Sequence, residues 1–146
     1  MRQVNNDDYQ KEIYDIFKAS LLKINDHFDP LIITNILELK LLSYLGVKPN
    51  LDNCVSCGDD HSIATISIDK GGFICLACLS KEHIISSKAI KLIRLYYYVD
   101  IAKITKLKIS DQVKKEINFF INQYYEKYTG LYLKNKQFAE SLVKSV

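Results

Sequence analysis

No run of apolar residues approaches the ~18 needed to cross a membrane as a helix. The opening stretch, MRQVNNDDYQ, is polar and lacks the apolar core of a secretory leader. There is no internal repeat and no low-complexity segment. No serine sits in a nucleophile-elbow motif and no glycine-rich phosphate loop is present; DKGGF reads as a turn. The three histidines are scattered and form no motif. These absences point to a cytoplasmic chain with no membrane association and no catalytic role. There is no cysteine outside residues 54–78. In a reducing compartment, paired Cys-x-x-Cys motifs are more often metal ligands than disulfides.

What is present is one ordinary globular domain's worth of chain: 146 residues, 48% hydrophobic and 25% charged. The net charge of +3 is modest, but it is unevenly spread. Residues 1–50 carry six Lys or Arg against seven acids, and residues 51–80 carry one against four. Residues 81–146 carry thirteen against six. Such an asymmetry is a weak pointer to an acidic partner for the second half, and it is equally what solvated helix faces in a lysine-rich protein look like.

Apolar residues recur at three- and four-residue steps over 7–24, through Tyr9, Ile13, Ile16, Phe17, Leu21 and Ile24, which predicts a helix. A second helix is predicted over 30–45. Asp29 is placed to cap it, Pro30 suits its first position and Gly46 its stop. Leucine or isoleucine covers most of its circumference, so it is the expected centre of the helical part. GVKPNLDN then leads out as a loop. IATISID, KGG and FIC read as strand, turn and strand, a short hairpin. Ser86 or Ser87 can cap a third helix, KAIKLIRLYYYV, in which the tyrosine run leaves the inner face open. DIAKITKLKI reads as a brief helix and a loop. Ser110 caps a long helix ended by Gly130, with Val113, Ile117, Phe120, Ile121 and Tyr124 as its stripe. The tail LYLKNKQFAESLVKSV has room for one more short helix. The expected fold is therefore mostly α: a helical bundle over 1–146, treated as a single domain, with a zinc-binding hairpin inserted at 52–80.

Cys54, Cys57, Cys75 and Cys78 form two Cys-x-x-Cys pairs with seventeen residues between Cys57 and Cys75. Each pair brings two sulfurs to one side of a tight knuckle, and the gap suits a hairpin. The pattern predicts one structural Zn2+. With four thiolates the shell is closed and leaves no position for a reactive water. A redox pair would stand alone near a βαβ pattern, which is missing, and the spacing favours zinc over an iron–sulfur cluster. His61 and His83 are read as surface residues because the cysteine set is complete.

ILELKLLSYLGVKPNLDNCVSCG resembles the segment joining the central helix to the zinc site in the bacterial recombination-mediator family RecO. GGFICLAC is similar to the second half of that site, ISSKAIKLIRLYYYV to the following helix, and LKISDQVKKEINFFINQYYEKYTGLYLKNKQF to the closing helix and its lysine-bearing tail. The tail departs from the family pattern at Lys134-Asn135-Lys136, and no role is carried onto Asn135. The likeness runs from about residue 9 to 142. It implies the helical, zinc-bearing C-terminal part of a protein whose N-terminal OB-fold barrel lies outside this sequence. The family's proteins mediate DNA repair and recombination without catalysis. They load a recombinase on strands coated by single-stranded-DNA-binding protein, and they anneal strands. The implied partners are a RecR-type mediator, the C-terminal tail of the single-stranded-DNA-binding protein, and single- and double-stranded DNA, the last mainly through the barrel. The implied location is nucleoid-associated.

An acidic-aromatic tail needs an apolar pocket with a basic rim. Lys88, Lys91, Arg94, Lys103, Lys106, Lys108, Lys114 and Lys115 are candidates for that surface or for weak, salt-sensitive DNA binding, with Tyr96, Tyr97, Tyr98, Phe119 and Phe120 close in sequence. Taken singly, each lysine is also an ordinary surface charge and each aromatic an ordinary core residue. The alternative reading is a generic zinc-ribbon interaction or transcription-type module. It is separated from the first by the apolar helix 30–45 joined by a short loop to Cys54.

Overall fold

The computed structural model describes residues 6–130. It is mostly helical, with one two-stranded antiparallel hairpin. Four helices, α1 (Asn6–Asn25), α2 (Pro30–Tyr44), α3 (Ser87–Tyr98) and α4 (Asp111–Thr129), surround a common core, and β1 (Ile63–Ser67) pairs with β2 (Gly72–Cys75) between α2 and α3. The tail from 131 onward, with its suggested short helix and Lys134-Asn135-Lys136, lies outside the described residues.

The helix ends follow local chemistry. The Asp29 carboxylate accepts from the Leu31 amide at 2.9 Å, and Pro30 begins α2, where a missing N–H costs no hydrogen bond. Gly46, at φ +77°, takes the left-handed turn that stops it. Ser86, rather than Ser87, caps α3 by accepting from Ala89, and Ser110 caps α4 by accepting from Val113. Gly130 closes α4 at φ +70°.

α2 is the centre. Ile33, Ile36, Leu39 and Leu42 are wholly buried, and they meet Ile93 and Tyr96 of α3 and Ile117 and Ile121 of α4. Each such side chain contributes roughly 1.5–3 kcal/mol relative to exposure. From the hairpin side Leu51, Ile66 and Phe73 join this core, with Ile63 and Ile68 packed against it. The helices therefore hold a core of their own, and the hairpin rests on its edge. The stripe anticipated for α4 is buried at all five positions. In α3 the buried face is Ala89, Ile90, Leu92, Ile93 and Tyr96, while Leu95 and Tyr98 point outward.

α1 differs from its expected stripe. Ile13, Ile16 and Ile24 turn inward, but Tyr9, Phe17 and Leu21 are exposed at 41%, 44% and 59%. The physical reason is geometric: α1 packs mainly on α2 and the 101–103 turn, so its outer side is left uncovered. No helix among the described residues is long and apolar enough to cross a membrane.

Candidate metal centre

The hairpin is short, with a turn over 68–71 and a register of Thr65 to Ile74, Ile66 to Phe73 and Ser67 to Gly72, and a bulge follows Ile63. A third extended piece closes its edge. Asn50 donates its amide to the Gly71 carbonyl at 2.9 Å and accepts from the Phe73 amide at 3.0 Å, and the Val55 amide reaches the Phe73 carbonyl at 2.8 Å. Gly72 is what lets the two backbones meet. A Cβ there would lie 2.4 Å from the Asn50 carbonyl oxygen and 2.7 Å from Val55 Cγ1.

This pairing delivers Cys54 beside β2. The chain then folds into a knuckle: Gly58 donates to the Cys54 carbonyl at 2.9 Å, and Cys54 donates to the Asp59 carbonyl at 2.7 Å. Gly58 sits at φ +80°, a conformation that side chains resist. Cys75 ends β2, and Cys78 closes the 3-10 turn that follows.

The result is one cluster. The sulfurs of Cys54, Cys57, Cys75 and Cys78 all lie within 4.8 Å of one another. Cys57 and Cys75 are 3.7 Å apart, sulfur to sulfur. Tetrahedral bonds of about 2.3 Å place ligand sulfurs about 3.8 Å apart, so the spacing suits a zinc ion. Cys54 and Cys75 are buried, Cys78 is half-buried and Cys57 is exposed. The Ser56 amide points at the Cys54 sulfur at 3.4 Å.

The electrostatics agree. Burial pushes the Cys54 thiol up, but the amides of Cys75, Cys57 and Ser56 pull harder, and it falls to about 6. Cys78 goes the other way, to about 12, because its proton is shared with the Cys75 and Cys57 sulfurs. Amides ready to meet negative sulfur, around thiols that resist ionising together, are what a divalent cation resolves. The four cysteines can therefore hold a metal ion. Zinc, when bound, would supply cross-linking and a closed shell rather than a reactive water. Asp59, Asp60 and His61 cluster nearby, but all three are exposed. His83 is exposed as well.

The basic candidates fall into different roles. Lys88, Lys91, Lys103, Lys108 and Lys115 are exposed. Arg94 serves as a strap: its Nε donates to the Leu51 carbonyl at 3.1 Å, its guanidinium lies 3.6 Å from Asp52, and it stacks over Tyr98. Lys114 is paired with Asp29 at 2.5 Å. Lys106 and Lys23 both lie over the Phe28 ring, at 5.8 and 4.8 Å, beside a small cleft of about 150 Å3 lined in part by Ile32, Ile104 and Leu107. Of the aromatics, Tyr96 and Phe120 are core, whereas Tyr98 and Phe119 are exposed. Sequence reasoning passed over Lys23 and Phe28, because nothing in the spacing links α1 to a lysine eighty residues on. It also passed over Gly72, whose signal was only a Gly-Gly pair.

The family model described as "Recombination protein O C terminal" matches residues 1–137. The chain belongs to this family. Among curated relatives it is similar to the DNA repair protein RecO of Bacillus pumilus (strain SAFR-032). The two are 38% identical over 133 residues, which is 89% of this chain and 52% of the relative. It is 33% identical to RecO of Bacillus subtilis (strain 168) over the same shares. RecO of Listeria monocytogenes serotype 4b (strain CLIP80459) is 30% identical over 90% of this chain and 53% of its own length. The chain thus spans about half the length of these RecO relatives. No solved structure matches it. The resemblance read from the Leu-Gly turn and the two cysteine pairs is borne out at the level of the RecO C-terminal family.

Proposed function

We propose that this chain is the helical, zinc-bearing part of a DNA repair and recombination mediator. In this reading residues 1–146 form one domain, with 52–80 as its metal-braced insertion, and Cys54, Cys57, Cys75 and Cys78 ligate a single structural Zn2+. The part catalyses no reaction. It acts as a scaffold for protein partners and as a weak DNA binder while a recombinase is loaded on coated single strands and complementary strands are annealed. The partners are a RecR-type mediator, the tail of the single-stranded-DNA-binding protein, and DNA. It works in the cytoplasm, at the nucleoid.

The observation that carries the reading is membership of the RecO C-terminal family. The half-buried Phe28 ring with Lys23 and Lys106 over it supports a seat for an acidic-aromatic tail: an apolar recess for the ring and cations for the carboxylates. The exposed Lys88, Lys91, Lys103, Lys108 and Lys115 suit phosphate contacts, which weaken as salt rises. The generic zinc-ribbon alternative gains nothing from the hairpin's anchoring. Arg94 reaches the Leu51 carbonyl and Tyr128 reaches the Ile68 carbonyl, so the ribbon is fastened to the helices at both ends.

The test is a titration of the purified chain with a peptide of the single-stranded-DNA-binding protein's tail, followed by RecR. Saturable tail binding, reduced by a combined Lys23→Glu and Lys106→Glu change, is expected. Binding that ignores both changes would remove the Phe28 cleft from the reading. Failure to bind either partner would remove the scaffold role.

A further inference from the structure

A groove of about 550 Å3 runs between the hairpin and α4. That volume is within the ~300–1,000 Å3 that binding clefts usually enclose. Its floor is apolar, made by Ile66, Ile68 and Ile85 on one side and by Phe119 and Phe120 on the other. Phe120 is fixed in the core at 4% exposure, so its neighbour Phe119 is carried outward and stands 64% exposed. Apolar surface rimmed by polar groups is the mark of a contact site. α4 lines the groove from Glu116 to Lys127 at three- and four-residue steps, one helix face about 16 Å long.

The two walls are tied together at both ends. Tyr128 donates to the Ile68 carbonyl at 2.5 Å, and Lys127 pairs with Asp69 at 2.5 Å. Glu116 accepts from the Ser86 amide at 3.1 Å and from its hydroxyl at 2.9 Å. The groove is therefore pre-formed, and a ligand does not have to open it.

The rim selects the ligand. Asp69, Glu82, Glu116 and Glu126 line it, with Lys127 as the one cation among the described lining residues. Lys127 is taken by Asp69, and Lys70 reaches Glu82 from outside the groove at 3.4 Å. Glu116 and Glu126 have no ion pair among the described residues. Ten residues of α4 separate them, about 15 Å, with Phe119 and Gln123 between. Nucleic acid, anionic lipid and acidic peptides are repelled by such a rim. A small polycation would leave the apolar floor uncovered. The Phe28 cleft has the opposite polarity, with Lys23 and Lys106 over its ring.

We propose that the groove between the hairpin and α4 docks a basic amphipathic helix of a partner protein. Its apolar side chains, at i, i+3 or i+4, and i+7, cover Phe119 and the three isoleucines. Its lysines or arginines, about three turns apart, meet Glu116 and Glu126. The chain then has two docking faces of opposite sign, which the same segment cannot serve. Because the hairpin is one wall, the site exists only while the hairpin stands against α4.

The test uses the full chain and a fluorescein-labelled helical peptide of leucine and lysine, about 14 residues long, with leucines on one face. A control peptide carries glutamate at every lysine position. Fluorescence anisotropy should show saturable, salt-sensitive binding of the lysine peptide and none of the glutamate peptide. Phe119→Ser and Glu126→Lys, both at exposed positions, should each weaken binding about tenfold with helical circular dichroism unchanged. Asp15→Lys makes the same charge change on α1, outside the groove, and should leave binding unaltered. With the photo-crosslinker p-benzoylphenylalanine at position 119, irradiation should join the chain to the peptide. Absence of saturable binding, or an equal loss in Asp15→Lys, would overturn the proposal. Crosslinks between two copies in place of the peptide would assign the groove to self-association, and crosslinks within one chain would show that the chain fills it itself; either result overturns the proposal too. None of these readouts depends on DNA or on a repair partner, so their outcome is separate from the function proposed above.

Discussion

Gly72→Ala adds a single carbon at the point where three backbones meet. That carbon would lie 2.4 Å from the Asn50 carbonyl oxygen and 2.9 Å from Asn50 Cβ, well inside contact distance, and the nearest obstacle is main chain. Asn50 must therefore move away from β2. Two hydrogen bonds go with it, from Asn50 to Gly71 and from Phe73 to Asn50. At about 0.5–1.5 kcal/mol each, they account for roughly 1–3 kcal/mol. Leu51, wholly buried, is dragged along, and a partial loss of its burial adds about 1 kcal/mol. A destabilisation of about 2–4 kcal/mol results. For a domain of this size that is a fall in Tm of about 6–15 °C. Differential scanning calorimetry gives the fall. Amide exchange gives its location, with residues 50–75 opening while α2 and α4 stay protected. A Tm within about 2 °C of the parent would refute the close approach of Asn50 to Gly72 and with it the account of how Cys54 is delivered to the cluster.

Replacing Cys54 and Cys57 together with serine should abolish retention of one zinc per chain by native mass spectrometry and lower Tm, yet leave most of the helical circular dichroism. Complete loss of helix would mean that the core depends on the knuckle. Ser110→Ala removes the acceptor for the Val113 amide and should cost about 1 kcal/mol in urea unfolding, whereas Ser110→Gly should cost only a few tenths. Burial alone would raise the Asp29 carboxyl, but the Lys114 ammonium and the Leu31 amide outweigh it and hold it below its ordinary 3.8. A depressed carboxyl stabilises the fold above that value and loses its contribution as pH falls through the folded-state value. Acid unfolding of Lys114→Met should therefore be shallower below pH 4 than in the parent, and identical acid limbs would sink the assignment.

Much of this was legible in advance because short-range signals decided it. Asp29-Pro30, Ser110 and Gly130 mark helix ends by capping chemistry that needs no tertiary partner. The cysteine spacing implies a knuckle because two residues between thiols fix their geometry. α1 was misjudged on its outer side because periodicity reports a stripe without saying how wide a surface will cover it. Tyr9, Phe17 and Leu21 repeat correctly and still face outward. The basic residues were beyond sequence reasoning for a related reason. Nothing local distinguishes Arg94, which straps the loop at Leu51 and Asp52, from Lys91, which stands free in solvent. Their difference is made by a carbonyl forty-three residues away.

Three phenols on α4 reach back a long way. Tyr124 donates to the Val47 carbonyl at 2.6 Å, Tyr125 to the Glu38 carbonyl, and Tyr128 to the Ile68 carbonyl at 2.5 Å, across 77, 87 and 60 residues of chain. During synthesis the cysteines leave the ribosome long before the residues that pin their hairpin in place. The nascent hairpin must wait, with thiols able to gather a metal but with its outer side unsupported, until α4 emerges. At the ~5–20 residues per second of translation, that interval lasts seconds. The four thiols are thus exposed together to any metal in their surroundings before α4 can dock.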